Sequence, residues 1–397
     1  MKYLIIGNGI AGITAAENIR KADPRGEIKI LTDEKYPFYS RIRLIDFLSR
    51  NMKEETLIMK GEKWYADNGI ELLSGARGEK IDHASRKVET DDGSAIGYDK
   101  LLIATGGVSF VPPFPGAERE GVFTLRTLDD AKAINSYAGK NKRVVIVGGG
   151  VLGLEAGFNL IQAGNSVEVV EFFPRLLPRQ MDGNGAAVLQ NQLESFGFRF
   201  YLNAKTKEIT GEGKADGLLL EDGRRIEADM VIVSAGVRPA DTLAKDLGLQ
   251  IGKGVVVNDR METSIEGIYA AGDVIEHNGI FYGLWAASMA QGETAGKNMA
   301  GVEALYKGTI MSNSLKVAGV KLFSAGDIDA DGKYDDITFA DSVAHVYKKM
   351  VIKDGKIIGI ILYGDVGPRM KLVKAMEEKR DISGLRDALA KWDISAL

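Results

Sequence analysis

The chain has 397 residues, of which 45% are apolar and 27% are charged, a composition typical of a globular protein with core enough for two or three domains. Its net charge of −4 gives no general attraction to nucleic acid or to an anionic membrane, so we expect no nucleic-acid partner. The sequence contains no cysteine, which excludes a disulfide, a thiolate metal site or a cysteine redox relay within the chain. With only three histidines we expect no metal site, and any redox chemistry must come from a bound organic cofactor.

The first residues enter an apolar strand directly and lack the pattern of a secretory signal peptide. No apolar run approaches the roughly 20 residues that span a bilayer. We therefore expect a cytoplasmic protein without a membrane span.

A predicted strand, a glycine-rich turn and a helix open the sequence. Residues 2–6 form an apolar run typical of a buried parallel strand. They lead into Gly7, Gly9 and Gly12, a helix to about Lys21 and a second strand over residues 28–31. In such a βαβ unit the first glycine permits the tight turn, the second lets the backbone approach a pyrophosphate, and the third lets the helix pack on the strand. The helix N-terminus then faces the phosphate charge.

The same pattern recurs after a strand at residues 143–147. It consists of Gly148, Gly150 and Gly153, a helix to about Gln162 and a strand over residues 167–171. One such motif could be an ordinary glycine-rich turn of an α/β protein. Two copies, each between a predicted strand and a predicted helix, indicate two dinucleotide sites.

Acidic residues at the strand ends predict which nucleotide each site binds. Glu171 ends the second strand of the second unit, where a carboxylate accepts hydrogen bonds from the adenosine ribose and repels a 2′-phosphate. We therefore expect NADH rather than NADPH at this site. In the first unit the aligned position is Thr32, so the ribose partner is either Asp33 or Glu34.

The last part of the sequence has a different pattern. Residues 315–323 alternate in polarity, residues 346–352 and 356–363 flank a turn as a candidate hairpin, and a helix follows from about Pro368 to Glu378. These elements predict a small α+β domain. Residues 327–332 match the start of an EF-hand, but the twelfth position is Thr338 instead of a bidentate glutamate, so we interpret them as an acidic turn.

Three further strands end at glycines, and these complete a pattern of five ordered motifs. They are the strand before Ala104, Thr105 and Gly106, the strand before Gly236, and the strand before Gly272 and Asp273. With these motifs the chain resembles the two-dinucleotide flavoprotein reductases of the pyridine nucleotide–disulfide reductase superfamily. The resemblance implies an α/β fold with two Rossmann-like domains, like that of glutathione reductase, followed by the small C-terminal α+β domain.

The resemblance also implies where the cofactors bind. FAD would lie at Gly7, Gly9 and Gly12, with Asp273 on its ribityl or pyrophosphate region and the Ala104-Thr105-Gly106 turn as a crossover between domains. NADH would lie at Gly148, Gly150, Gly153 and Glu171. The FAD domain would comprise residues 1–110 and 237–311, the inserted NAD domain residues 111–236, and the C-terminal domain residues 312–397.

Within that superfamily, residues 36–41 and 343–365 are similar to the NADH:rubredoxin reductases and to the flavin half of the assimilatory nitrite reductase large subunit. This similarity implies that Arg41 contacts the FAD pyrophosphate, a role that suits a guanidinium, although a surface arginine is the alternative. It implies that Glu155 is a catalytic residue near nicotinamide and flavin, the alternative being a glutamate that the helix dipole favours. The similarity also implies that Trp285 lies over the isoalloxazine ring of FAD, the alternative being a tryptophan buried in the core. Relatives commonly carry a lysine where this chain has Asp46, which leaves the electron acceptor open.

The implied function is an FAD-dependent reductase that oxidises NADH and passes electrons to an external one-electron acceptor, such as rubredoxin or an iron–sulfur partner subunit. Two alternatives stay open: an electron-relay subunit of a larger complex with little activity alone, and a peroxide-forming NADH oxidase. The oligomeric state is open as well. The predicted C-terminal helix region offers basic residues as a docking face for an acidic partner, or as a solvated face. These are Arg369, Lys371, Lys374, Lys379 and Arg380.

Overall fold

The structure, a computed structural model, describes residues 1–49, 52–317, 319–395 and 397. The strands in chain order are β1 (Lys2–Ile6), β2 (Glu27–Thr32), β3 (Ile70–Ser74), β4 (Gly78–Asp82), β5 (Lys87–Thr90), β6 (Ala95–Gly97), β7 (Lys100–Ile103), β8 (Gly107–Ser109), β9 (Val122–Phe123), β10 (Arg143–Val147), β11 (Ser166–Val170), β12 (Phe198–Tyr201), β13 (Thr206–Thr210), β14 (Gly217–Leu220), β15 (Arg225–Glu227), β16 (Met230–Val233), β17 (Val237–Pro239), β18 (Val255–Val257), β19 (Ile268–Ala270), β20 (Ile275–His277), β21 (Ser312–Val317), β22 (Val320–Gly326), β23 (Asp335–Asp341), β24 (Val346–Lys353) and β25 (Lys356–Tyr363). The α-helices are α1 (Ile10–Ala22), α2 (Leu44–Phe47), α3 (Glu62–Asp67), α4 (Leu128–Ala138), α5 (Val151–Gln162), α6 (Gly183–Ser195), α7 (Thr242–Asp246), α8 (Trp285–Met299), α9 (Arg369–Glu377) and α10 (Arg386–Ala390). Short 3₁₀ turns occupy Arg41–Arg43, Glu54–Leu57 and Ser383–Leu385.

The chain divides into two compact units. Unit 1 consists of Met1–Arg43, Lys53–Ser109 and Val237–Thr309, and unit 2 of Leu44–Met52, Phe110–Gly236 and Ile310–Leu397. The assignment of three domains with boundaries at residues 110, 236 and 311 stays a prediction. No helix in the described part of the chain combines the length and the apolarity that crossing a membrane requires.

Unit 1 is built on a five-stranded sheet in the order β19-β7-β1-β2-β3. All its pairings are parallel, with Ile5 of β1 opposite Ile30 of β2 and Leu102 of β7. These three side chains are fully buried, as expected where helices cover both faces of a parallel sheet. The connection β1-α1-β2 is the predicted first βαβ unit, which the structure confirms.

Helices α1 and α8 pack closely within unit 1. A Cβ atom on Gly292 would lie 2.3 Å from the carbonyl oxygen of Ala11, and one on Gly296 would lie 2.4 Å from that of Ala15. Glycine at these two positions lets the backbones touch, which a side chain would prevent. The late segment that carries α8 therefore completes the unit that α1 begins.

Unit 2 contains a second parallel sheet in the order β12-β11-β10-β16-β9. The pairing of β10 with β11 runs from Arg143 opposite Ser166 to Val147 opposite Val170, and α5 makes the crossover between them. This is the predicted second βαβ unit, also confirmed. The chain is thus an α/β protein with two Rossmann-like sheets and a C-terminal segment of different architecture.

The C-terminal segment forms an antiparallel sheet in the order β21-β22-β25-β24-β23. The predicted hairpin is confirmed by the pairing of β24 with β25, and the predicted helix is α9. The alternating stretch of residues 315–323 contains parts of two strands, because β21 and β22 pair antiparallel with Val317 opposite Val320. Gly319, just before β22, has φ +78°, and Ala318 lies outside the described residues.

Buried polar contacts join this C-terminal sheet to α6. Asp182, which caps α6 by accepting a hydrogen bond from the Gly185 N–H, also accepts one from the Tyr347 hydroxyl at 2.6 Å. The Lys349 ammonium lies 3.2 Å from the same carboxylate and is only 4% exposed. Burial, reinforced by the hydrogen bond to Asp182, raises the pKa of the Tyr347 hydroxyl. Together these residues form what we call the Asp182 cluster.

Candidate dinucleotide-binding sites

The turn after β1 is shaped by close backbone packing at two of its glycines. Gly7 has φ +116°, and a Cβ atom there would lie 2.1 Å from the Ala104 carbonyl oxygen. A Cβ atom on Gly12 would lie 2.1 Å from the Gly7 carbonyl oxygen. Packing inside unit 1 therefore explains why these two positions are glycine.

Packing does not explain the middle glycine. Gly9 is the N-cap of α1 with φ −86°, a conformation open to any residue, and a Cβ atom there would meet nothing within 4 Å. A ligand that must approach the backbone does explain it, and the turn therefore fits a dinucleotide pyrophosphate at the start of α1. The second motif repeats this geometry: Gly148 and Gly153 are constrained by neighbouring carbonyl oxygens, whereas Gly150 faces open space.

A hydrogen-bonded chain that the sequence did not reveal supports the first turn. The Phe38 N–H donates to the Tyr65 hydroxyl at 2.9 Å, and that hydroxyl donates to Asn8 Oδ1 at 2.9 Å. Burial raises the pKa of the Tyr65 hydroxyl. Asn8 lies between the first two glycines, so Tyr65 of α3 fixes the turn from a distant part of the sequence.

Glu34 and Arg41, two of the residues expected to hold the FAD ribose and pyrophosphate, line one small cavity at the end of β2. The Arg41 guanidinium forms an ion pair with Glu34, and the Tyr39 hydroxyl donates to the same carboxylate. Asp33, the other candidate for the ribose, is exposed. The predicted roles of Asp33, Glu34 and Arg41 stay predictions. The lining comprises Asn8, Thr32, Glu34, Tyr36, Pro37, Tyr39 and Arg41.

The Ala104-Thr105-Gly106 turn is tied to the strand that returns to unit 1. Thr105 Oγ1 donates to the Ala240 carbonyl at 2.8 Å, and the Ala240 N–H donates to the Gly106 carbonyl at 2.9 Å. β8 and β17 then pair antiparallel. The outgoing and returning segments are thereby joined within unit 1, and the role of this turn as a crossover between domains stays a prediction.

The Gly272-Asp273 motif is held by α8. The Gly272 N–H donates to Gln291 Oε1 at 3.0 Å, and the Ser288 hydroxyl donates to Asp273 Oδ1 at 3.2 Å. Gln291 is almost fully buried, and nothing in the sequence marked it. Trp285, at the start of the same helix, stacks on Phe38 with ring centroids 6.1 Å apart. Its predicted position over the flavin ring stays a prediction.

In unit 2 the acidic residue that follows β11, Glu171, accepts hydrogen bonds from the backbone. Glu171 is 5% exposed. Its carboxylate accepts hydrogen bonds from the Gly149 N–H at 2.5 Å and from the Phe173 N–H at 2.8 Å. Gly149 belongs to the glycine motif, so the carboxylate is fixed beside the turn that fits a pyrophosphate. Its predicted bond to the ribose, like the role of Glu155 on α5, stays a prediction.

Among the described residues, no group of three or more acidic or histidine side chains could hold a metal ion. In the EF-hand-like turn, the Asp329 carboxylate accepts hydrogen bonds from the Lys333 and Tyr334 N–H groups. The Lys349 ammonium donates to the Asp329 carbonyl at 3.1 Å. Backbone donors and an ammonium therefore satisfy the oxygens of Asp329. Asp46, which stands where the resemblance predicts a lysine, is exposed on α2.

The chain belongs to the pyridine nucleotide-disulphide oxidoreductase family, whose model matches residues 1–294. Residues 312–380 match the model of the rubredoxin NAD+ reductase C-terminal domain. The class is that of pyridine nucleotide oxidoreductases. This membership implies FAD and NADH as the cofactors, and the two glycine turns fit them.

Three relatives illustrate the range of proteins that the chain is similar to. A nitrite reductase [NAD(P)H] of Bacillus subtilis is 37% identical over 384 residues, which are 96% of this chain and 48% of that protein, so the chain spans about half its length. The NADH-rubredoxin oxidoreductase of Clostridium acetobutylicum is 32% identical over 97% of this chain and 96% of its own. Its solved structure superposes with a TM-score of 0.84, at 31% identity and over 99% of both chains. An NADH oxidase of Methanocaldococcus jannaschii is 35% identical over 82% of this chain and 76% of its own.

Proposed function

We propose that this chain oxidises NADH and passes the electrons through FAD to an external one-electron acceptor, either rubredoxin or an iron–sulfur protein. The observation that carries the proposal is the match, over nearly the whole of both chains, to an NADH-rubredoxin oxidoreductase. That match includes the C-terminal segment, which also fits the model of the rubredoxin reductase C-terminal domain. A redox partner protein and a cytoplasmic location are parts of this proposal.

The residues of the chain bind and orient the two nucleotides. Gly9 and Gly150 leave room for the pyrophosphates at the starts of α1 and α5. Glu171 holds the adenosine ribose of NADH, and its negative charge disfavours a 2′-phosphate. Arg41 releases its contact with Glu34 to bind the FAD pyrophosphate, and Asp273 holds the ribityl or pyrophosphate region. When bound, FAD accepts two electrons from NADH and can release them one at a time.

The electrons must leave the chain once they reach the flavin. The chain contains no cysteine, so it cannot store them as a dithiol. No metal-ligand cluster exists among its described residues either. An acceptor outside the chain is therefore required.

The similarity of the chain to two other relatives supports two alternative electron acceptors. The similarity to an NADH oxidase favours oxygen as the acceptor. The similarity to a nitrite reductase of which the chain spans about half favours a relay, in which further protein outside this sequence receives the electrons.

Stopped-flow kinetics of the FAD-loaded protein distinguishes these functions. The flavin is first reduced with NADH or NADPH, and the reduced protein is then mixed with rubredoxin, with a ferredoxin or with air-saturated buffer. We expect faster reduction by NADH, and reoxidation by an iron protein that outpaces reoxidation by oxygen. Rapid oxygen consumption with peroxide release would support the oxidase. Reduction by NADH followed by slow reoxidation by each of these acceptors would support the relay. A flavin that NADH does not reduce would overturn the proposal.

A further inference from the structure

Gly149, in the second glycine motif, is held through both of its backbone groups. Its N–H donates to the Glu171 carboxylate at 2.5 Å, and its carbonyl accepts a hydrogen bond from the Leu177 N–H at 3.1 Å. A Cβ atom on Gly149 would lie 2.8 Å from the side chain of Leu176, which is fully buried. The position of this turn, which fits a pyrophosphate, therefore depends on Leu176 and Leu177 as well as on Glu171.

Leu177 has a backbone conformation that leucine rarely adopts. Its φ is +48°, in the left-handed region, and its side chain is fully buried. A residue other than glycine stays in that region only where the surrounding contacts determine its conformation, and such residues concentrate at functional sites. The Leu177 carbonyl accepts hydrogen bonds from the Gln180 and Met181 N–H groups, both at 2.9 Å. Contacts on both sides of Leu177 therefore hold this conformation.

Residues 174–182, which we call the connecting segment, are also joined to one another by a side chain. The Arg175 guanidinium donates to the Met181 carbonyl at 3.1 Å and to the Pro178 carbonyl at 3.1 Å. The Met181 side chain is fully buried, and Asp182 follows it directly as the N-cap of α6. Because the connecting segment is bonded internally at several points, a displacement of Asp182 reaches Leu177.

The C-terminal sheet fixes the far end of the connecting segment. Asp182 accepts a hydrogen bond from the Tyr347 hydroxyl at 2.6 Å, and its carboxylate lies 3.2 Å from the Lys349 ammonium. That ammonium also donates to the Asp329 carbonyl at 3.1 Å and lies 3.6 Å from Asp336. Buried charged contacts of this kind are costly to break one at a time. Asp182 is therefore fixed by two donors from the sheet.

We propose that Tyr347 and Lys349 are positioning residues for NADH: they fix Asp182, and the connecting segment carries this constraint to Gly149 and its turn. The inference rests on the proposed function, because the second glycine turn must be the NADH site. Residues that support a binding site from behind determine its geometry, and a displacement of about 1 Å is enough to impair it. Tyr347 and Lys349 act through Asp182 and take no part in the transfer of electrons.

Two buried tyrosines of the C-terminal sheet provide a variant and its matched control. Tyr347→Phe removes the hydroxyl that donates to Asp182 and keeps the ring, which packs against Gly185. The Tyr363 hydroxyl also joins the sheet to α6, because it donates to Gln192 Oε1 at 2.5 Å. Gln192 lies ten residues beyond Asp182. Tyr363→Phe therefore loosens the same sheet–helix contact without touching the connecting segment.

Calorimetric titration of the FAD-loaded protein with ADP-ribose measures affinity without electron transfer. ADP-ribose contains the pyrophosphate of NADH but no nicotinamide. We expect Tyr347→Phe and Lys349→Met each to weaken ADP-ribose binding about fivefold, within the range that substitutions between coupled sites produce. Tyr363→Phe should leave the affinity unchanged.

Hydrogen exchange followed by mass spectrometry tests the connecting segment directly. In Tyr347→Phe and Lys349→Met, residues 174–182 should exchange faster, because their backbone hydrogen bond to Gly149 opens more often. In Tyr363→Phe these residues should exchange at the native rate.

Stopped-flow reduction by NADH separates positioning from chemistry. Tyr347→Phe and Lys349→Met should need about fivefold more NADH for half-maximal reduction of the flavin, with an unchanged limiting rate. Reduced nicotinamide mononucleotide, which lacks the pyrophosphate bridge and the adenosine, should react equally with the native protein and both variants.

The outcomes separate this inference from the proposed function. Unchanged ADP-ribose affinity in Tyr347→Phe would overturn the inference, and so would an equal loss of affinity in Tyr363→Phe. Weaker ADP-ribose binding with native exchange of residues 174–182 would overturn it as well, because the constraint would then not pass through the connecting segment. A native protein whose flavin NADH does not reduce, yet whose ADP-ribose affinity depends on Tyr347, would refute the proposed function and leave the positioning role standing.

Discussion

Glu171 has two roles that a conservative substitution can separate. Its carboxylate organises the Gly149 and Phe173 N–H groups, and its charge is proposed to select NADH. Glu171→Gln keeps an oxygen acceptor but removes the charge, so we expect the preference for NADH over NADPH to fall about tenfold, within the range of a hydrogen bond to a charged group. The ratio of kcat/KM values for the two nucleotides measures this.

The control for this substitution is Glu168→Gln on the same strand. Glu168 accepts a hydrogen bond from the Tyr201 hydroxyl and lies away from the glycine motif. An unchanged nucleotide preference in Glu171→Gln, or an equal change in Glu168→Gln, would show that selection resides elsewhere.

The glycines of the first motif should respond differently to alanine. Gly9→Ala adds a Cβ atom that meets nothing within 4 Å, so the thermal stability of the FAD-free protein should stay near that of the native protein while FAD affinity falls. Gly12→Ala places its Cβ atom 2.1 Å from the Gly7 carbonyl oxygen. Overpacking of this kind costs about 1–3 kcal/mol or more, so the FAD-free protein itself should be destabilised.

Thermal unfolding of the FAD-free proteins and the flavin retained after gel filtration measure the two effects. If Gly9→Ala retained full FAD affinity, the ligand-based explanation of that glycine would be wrong. Equal melting temperatures for Gly12→Ala and the native protein would contradict the packing argument.

The spacing of glycines and strand-end acids predicted the backbone geometry of both turns, because a turn between a parallel strand and a helix is local in sequence. The roles of Tyr65 and Gln291 were not predicted, because their contacts are not local in sequence. They reach the turns of the first motif and of Gly272 from distant segments, and no spacing in a single sequence encodes such contacts. The Arg41–Glu34 ion pair was missed as well, although both residues were predicted to lie at the site.

At the scale of elements, the Asp182 cluster fixes α6 to the C-terminal sheet and should make that junction sensitive to alkali. The folded-state pKa of Tyr347 is raised above the value of about 10 expected in the unfolded chain. Its contribution is therefore complete below about pH 10 and is lost as the pH rises further. Tyr347→Phe should be less stable than the native protein by about 1–2 kcal/mol at pH 9, and the gap should shrink by about 1 kcal/mol at pH 11.

Urea unfolding at the two pH values tests this expectation, with Tyr334→Phe in the same unit as the matched control. A gap between native protein and Tyr347→Phe that stays constant from pH 9 to pH 11 would contradict it. Since α6 is the next helix after β11 and Glu171 in the chain, the same variant reports how strongly the C-terminal sheet supports the nucleotide-binding segment.

The elements themselves were largely predictable from apolar runs, glycines and alternation. In the stretch from residue 315 to 323 the alternation alone did not show that two strands, β21 and β22, form a hairpin. Two residues separate Val317 from Val320, so the alternation changes phase there, and Gly319 supplies the positive φ that the turn requires. A phase change beside a glycine was the signal for two strands.

For the molecule as a whole, the proposed reaction has two half-reactions with different salt dependence. The basic residues around α9 are exposed, and a partner that docks there by charge would be screened over about 10 Å at 0.1 M salt. Reoxidation by rubredoxin should therefore slow as salt rises and in Lys371→Glu/Lys374→Glu, whereas reduction by NADH should change little. Lys63→Glu in unit 1, an exposed lysine paired with Asp67, is the control.

Stopped-flow measurement of both half-reactions at low and high salt tests whether the partner docks at the basic residues around α9. Turnover with rubredoxin that is independent of salt and of the charge reversals would place the docking surface elsewhere while keeping the acceptor class.

The contact between α1 and α8 has a consequence for folding of the chain during its synthesis on the ribosome. Protein synthesis proceeds at roughly 5–20 residues per second, so α8 is synthesised on the order of tens of seconds after α1. The strands from β9 to β16, by contrast, are synthesised in one continuous stretch. During that interval α1 exposes a face whose contact residues are the small Ala11 and Ala15, which offers other nascent chains little to adhere to. FAD can be captured only afterwards, so chains arrested before residue 285 should emerge colourless.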